Sequence, residues 1–255
     1  MILPSFTSKE IYDHVVRDQE KVNIRKEYLR SKAIKEFKKE KHFPAWRWYE
    51  YTVPTSNNKY IIFFYVESKI VIQKPFVDDF LVIFEESKKF IKCGVGMYKH
   101  TENNPFIAIR QVHVYTSHFL MRYGERYLND NSLNFNDIAC LYFSRNRKCM
   151  PIKMNEEINK RLEQYGETAK YGYVIRDGFC FTRMRLEGLM SEDGNRDKDK
   201  IDASLTIYTT FMPNDGLKNS QLTAIYKEYD EKSMQCLLEF EKEAKNGVIT
   251  LCLEP

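Results

Sequence analysis

Seven consecutive apolar residues, Tyr60-Ile-Ile-Phe-Phe-Tyr-Val66, make the longest apolar run in the chain. A run of that length, rich in β-branched and aromatic residues, reads as a continuous apolar strand. It falls far short of the roughly 20 residues that a membrane-spanning helix requires. Before it, Trp46 to Val53 reads as a second strand and Pro54-Thr-Ser-Asn-Asn-Lys59 as a turn, so the two strands form a hairpin. Phe80 to Phe84 and Ile107 to Tyr115 are further strand candidates. Phe179 to Leu186 and Ile201 to Met212 flank a charged stretch, Ser191 to Lys200, expected as an exposed, mobile loop.

The helical signals lie elsewhere. Thr7-Ser-Lys-Glu10 fits a capping box. Apolar residues then recur at Ile11, Val15, Val22, Leu29, Ala33 and Phe37, as one long helix or two broken ones. Ser117 to Leu128, Asn134 to Phe143, Asn155 to Tyr165 and a last segment from about Ser220 to Ala244 also carry helical patterns, the last ending near Asn246-Gly247. Strands and helices alternate irregularly around at least two hairpins. The expected class is α+β, a mainly antiparallel sheet with flanking helices and an N-terminal helical extension, rather than a doubly wound parallel sheet. The division read from this is an extension over 1–45 and one α+β domain over 46–255.

Composition bounds the rest. Apolar residues at 43% and charged residues at 30% exclude a disordered chain. The net charge of +4 is too low for a protein that coats nucleic acid. The first residues lack the basic flank and length of a secretory signal, so a reducing cytoplasm is the expected location. The six cysteines form no C-x-x-C pair and no zinc-ligand spacing with histidine, which favours free thiols. Gly94-Val-Gly96 is only G-x-G, short of a phosphate-cradling loop.

One stretch concentrates chemistry. A helix opening after Thr116 or Ser117 places His118, Arg122, Glu125 and Arg126 within an arc of roughly 100°, opposite Phe119, Leu120, Tyr123, Tyr127 and Leu128. Guanidiniums bind phosphate bidentately, and an imidazole moves protons near neutral pH. The alternative is a solvated face on which Arg122, Glu125 and Arg126 pair locally. The period of two places Arg183 and Arg185 with Phe179 and Phe181, and groups Thr206, Tyr208 and Thr210. If the two strands pair and the helix packs nearby, Arg183, Arg185, Tyr208 and Thr210 join His118; otherwise they mark the solvent face of a sheet. From Arg110 to Lys153 the count is seven basic against three acidic residues, 7 − 3 = +4, and outside it 33 against 33.

The His118-x-x-x-Arg122-x-x-x-Arg126 helix, with the later Thr206-Ile-Tyr-Thr-Thr-Phe211 strand, resembles small bacterial ribonuclease toxins of the RelE and colicin type. It is also similar to uncharacterised bacterial domains with a His, Arg and Glu-Arg helix. The resemblance covers residues 107–126 and 170–226, in a chain longer than such toxins. It implies metal-independent RNA cleavage without a cofactor. His118 or Tyr208 would move protons, and Arg122, Arg126 and Arg183 would stabilise the charged transition state. Arg185 and Thr210 belong to the same expected anion site.

Rival readings stand beside it. The basic segment 110–153, including Arg145-Asn-Arg-Lys148, also suits a non-enzymatic module for RNA, another phosphate-bearing ligand or an acidic partner. The N-terminal helix and the aromatic hairpin (Trp46, Trp48, Tyr49, Tyr51) also suit a homodimeric scaffold, and the hairpin alone suits stacking on bases. Asp78-Asp79 with Glu86-Ser-Lys88 resembles a metal-nuclease pattern, though at short spacing, and His113 with His118 lacks a third ligand. No metal site and no membrane contact are expected.

Overall fold

The computed structural model describes residues 2, 5–83, 88–98, 107–159, 171–190 and 196–231. The capping box at Thr7 is present: Thr7 Oγ1 accepts from the Glu10 amide at 3.3 Å, and Glu10 Oε2 accepts from the Thr7 amide at 2.7 Å. From it runs one unbroken helix, α1 (Ser8–Phe37). Val15, Val22, Leu29, Ala33 and Phe37 are buried along it, at steps of seven and then four residues that keep one side against a sheet.

Among the described residues nine strands follow: β1 (Ala45–Thr52), β2 (Lys59–Val66), β3 (Phe76–Ile83), β4 (Lys89–Tyr98), β5 (Ile107–Tyr115), β6 (Cys149–Lys153), β7 (Tyr171–Ile175), β8 (Gly178–Met190) and β9 (Arg196–Pro213). They form one sheet in the order β1-β2-β3-β4-β5-β9-β8-β7-β6. Two antiparallel meanders, β1 to β5 and β6 to β9, meet where β5 and β9 pair in parallel. Between the meanders lie α2 (Ser117–Tyr123), which continues as a π-helical turn (Gly124–Leu128), and α3 (Phe135–Arg145). A short α4 (Glu156–Asn159) follows β6, and α5 spans the described residues 219–231. The α+β class and mainly antiparallel sheet expected from the sequence are what the structure has.

The apolar run in β2 is explained by layers on both faces. Tyr60, Ile62, Phe64 and Val66 share a buried cluster with α1, while Ile61 and Phe63 share one with Phe119, Tyr123, Tyr142 and Phe143 of α2 and α3. The period of two along a strand sends alternate residues to opposite layers, so no position is left for a polar side chain. A third, smaller cluster joins Phe179 and Phe181 of β8 to Ile225 of α5.

A buried carboxylate fixes α1 to the first hairpin. Asp18 is 3% exposed and accepts from Ser56 Oγ (2.9 Å), Asn58 Nδ2 (2.7 Å) and Tyr60 Oη (3.0 Å). The turn that presents Ser56 and Asn58 passes through Asn57 at φ 54°, a left-handed position that asparagine tolerates. Asp18→Ala should therefore lower folding free energy by about 1–3 kcal/mol, because three donors lose their acceptor. A urea titration measures it, and an unchanged midpoint would contradict the role given to Asp18.

Three strands carry no clear sequence signal: β4 holds two glycines and two lysines, and β6 and β7 are five residues each. Of the charged stretch expected as a loop, residues 196–200 belong to β9, and 191–195 lie outside the described residues. The helices expected over 155–165 and 220–244 also run beyond the described residues. No described helix is long and apolar enough to cross a membrane.

Candidate functional site

The seven residues expected to form one anion site occupy three places. Thr116 caps α2, accepting from the Phe119 amide at 3.2 Å and donating to the Tyr208 carbonyl at 2.9 Å. The amphipathic reading of this helix holds: Phe119, Leu120 and Tyr123 are buried and His118 is exposed. Arg122 Nη1 is 2.9 Å from Glu125, and Arg126 Nη1 donates to the Phe211 carbonyl at 2.7 Å. Tyr208 is in the core, 1% exposed and stacked on Tyr115 at 4.2 Å, and burial pushes its phenol well above the ordinary range. It therefore does not meet His118.

Arg183 and Arg185 face the other way. They pair in register with Ile207 and Leu205, which pack in the α1 layer. Arg185 Nη2 donates to Glu187 at 2.9 Å, and Glu187 in turn accepts from the Ser8 amide at the start of α1. Thr210 is displaced by a β-bulge. The register shifts between Phe181 and Thr182, so Thr210 pairs with Phe181 while Tyr208 pairs with Thr182. One extra residue reverses the inward–outward alternation. Thr210 thus joins the face of Phe181 and Arg183, and Phe211 takes the position beside Tyr208 in the core.

The partner of Tyr208 is His113, whose Nδ1 is 3.3 Å from the Tyr208 hydroxyl. Its Nε2 is 3.4 Å from Gln111 Oε1, and its ring meets Tyr173 edge-on at 6.1 Å. Burial and the neighbouring Lys92 ammonium push the imidazole down to about 4, so it is neutral at pH 7. In the unfolded chain it titrates near 6.5. As pH falls from about 6.5 towards 4 the unfolded state takes up a proton that the folded state refuses, and stability is lost over that window. Between pH 7 and pH 5 the loss should be on the order of 1–2 kcal/mol by urea unfolding. His113→Gln should flatten that slope; an equally steep slope in the variant would contradict the assignment.

The acidic pair does not converge either. Asp78 pairs with Lys92, and Asp79, on the opposite face of β3, pairs with Lys26. Glu86 lies outside the described residues. Among the described residues no group of three or more His, Cys, Asp or Glu side chains could hold a metal ion. The aromatic hairpin is engaged in packing: the indoles of Trp46 and Trp48 both donate to Asp137 Oδ1, at 2.7 and 3.0 Å.

A groove of about 670 Å³ lies where β2 and β7 end and β6 begins. Its cations come from two elements. After α3 the chain turns at Asn146 and carries Arg147, Lys148 and Cys149 into β6; antiparallel pairing of Cys149 with Ile175 then brings Arg176 alongside. Arg145 belongs to the wall. Its guanidinium clasps Asp177 through Nε and Nη2, each at 2.9 Å, and stands over the Tyr127 ring at 5.0 Å. Asp177, 4% exposed, also accepts from Tyr123 Oη (2.7 Å) and Asn146 Nδ2 (3.1 Å).

The other cations remain available. Arg147 Nε donates to the Ser144 carbonyl at 2.8 Å and its guanidinium lies 3.9 Å over Phe76, which fixes its direction. Neither Arg147 nor Lys148 has a carboxylate partner among the described residues, and Arg176 reaches only Glu67, at 4.0 Å with both side chains exposed. Tyr226 and Tyr229 of α5 complete the lining with Ser144, which is 3% exposed and whose buried hydroxyl has no partner among the described residues. The Arg145-Asn-Arg-Lys148 patch was visible as sequence; Arg176, Tyr226 and the Asp177 clasp were not, because only strand pairing and the seat of α5 bring them there. Comparison with protein-family models, curated proteins and solved structures gives no match.

Proposed function

We propose that the chain is a non-enzymatic binding module for a phosphate-bearing partner, held in the groove between α3, β6, β7 and α5. The observation that carries this reading is the gathering of Arg147, Lys148 and Arg176 on one concave surface where Glu67 is the only acidic residue of the described lining. Guanidinium and ammonium groups without a close carboxylate lose little on accepting a phosphate, and they release counterions from it. Metal-independent RNA cleavage has weaker support, since its two proton carriers, His118 and Tyr208, stand on the surface and in the core respectively.

The test is a fluorescence-anisotropy titration of a labelled 12-nucleotide oligouridylate across a salt series, in EDTA. With three phosphate contacts the logarithm of affinity should fall with the logarithm of salt at a slope of about −2. A salt-independent affinity would overturn the reading, as would failure of both this probe and inorganic tripolyphosphate to bind. RNA cleavage that persists in EDTA and disappears in His118→Ala would favour the ribonuclease instead.

A further inference from the structure

We infer, resting on the binding-module reading, that the partner is a single-stranded nucleic acid, of which the groove takes one nucleotide step: the phosphate between Arg147, Lys148 and Arg176, and a neighbouring base on Tyr226. Three features of the groove favour this occupant over an acidic protein or a duplex. The first is size. About 670 Å³ falls within the range of small-molecule sites, which an unstacked nucleotide enters and a base-paired helix does not.

The second is the mixed wall. Acidic peptides and duplex phosphates call only for cations, whereas Tyr226 places an aromatic ring, 49% exposed, on the same surface. Every base has a π-face, so stacking on such a ring adds affinity without choosing a sequence. Tyr229, one helical turn on, packs against the core cluster beneath α5 and holds that helix over the groove. The third is the fixed direction of Arg147. Arg147, held by the Ser144 carbonyl and the Phe76 ring, is aimed before the ligand arrives. A pre-set guanidinium loses less freedom on binding.

The test is competition against the labelled oligouridylate by four unlabelled probes: the same 12-mer, a blunt 12-base-pair duplex, uridine monophosphate and a polyglutamate of equal charge. The single strand should compete at least about 10-fold better than each of the others. Tyr226→Ser, at an exposed position that leaves the core intact, should weaken single-strand binding about 10-fold and leave the salt slope unchanged, because a base contact rather than a phosphate contact is lost. Equal competition by duplex, mononucleotide or polyglutamate would overturn this inference while the module reading stands, as would a Tyr226→Ser variant of unchanged affinity. If these probes and inorganic tripolyphosphate all fail to bind, the module reading itself falls.

Discussion

Asp177→Ala should cost about 2–4 kcal/mol of folding free energy, more than the loss expected for Asp18→Ala. Truncation leaves the Arg145 guanidinium without its bidentate acceptor and removes the acceptor of Tyr123, which is itself fully buried. Removing one member of this pair is costly because the half-buried guanidinium keeps only the Tyr127 hydroxyl and ring, and the buried Tyr123 hydroxyl loses its acceptor. Asp177→Asn should cost less, since the amide oxygen still accepts from one donor. Burial alone would raise the Asp177 carboxyl; the Arg145 guanidinium and the Tyr123 and Tyr127 hydroxyls outweigh it and hold the group below the usual carboxylate range. Its stabilisation is therefore complete above about pH 3.9, the unfolded value, and is lost as pH falls further. That window lies below the one assigned to His113, so the two contributions separate in a pH series. Urea unfolding at pH 7 decides the first point: a loss under about 1 kcal/mol would show that Asp177 is not the anchor of the groove wall.

Replacing Arg147, Lys148 and Arg176 together by glutamine should lower oligouridylate affinity by about 100-fold or more at low salt and bring the salt slope close to zero. The fold should tolerate this. Lys148 and Arg176 are exposed, the Arg176 pair with Glu67 spans 4.0 Å in solvent, and such pairs add at most about 1 kcal/mol. Of the three, Arg147 is the one whose side chain bonds to the backbone, at the Ser144 carbonyl. His118→Ala combined with Arg122→Ala makes the control, and should leave both affinity and slope unchanged. Affinity retained in the triple variant and lost in the control would move the binding surface to α2.

What could be read without the structure follows physical range. The capping box and stripe of α1, and the strand at Tyr60 to Val66, are local patterns, and local patterns survived folding intact. The amphipathic α2 was also legible, because its period needs only about two turns of context. Which sheet face carries Arg183 was not, because it depends on the β5–β9 pairing between two meanders. Thr210 failed for a smaller reason, the single extra residue of the bulge, which no alternation pattern announces. His113, which the sequence showed only as half of an incomplete metal pair, is the neutral partner of Tyr208. The basic count over 110–153 marked a segment that holds both α2 and β6. It could not choose between them, since charge carries no direction until the chain is folded.

Amide hydrogen exchange with and without the 12-mer oligouridylate makes that choice directly. Binding in the groove predicts slowed exchange over Arg147–Met150, Val174–Arg176 and the α5 turn around Tyr226, with His118–Arg126 unchanged. Slowed exchange confined to His118–Arg126, with the groove segments unaffected, would place the ligand on α2 and refute binding in the groove.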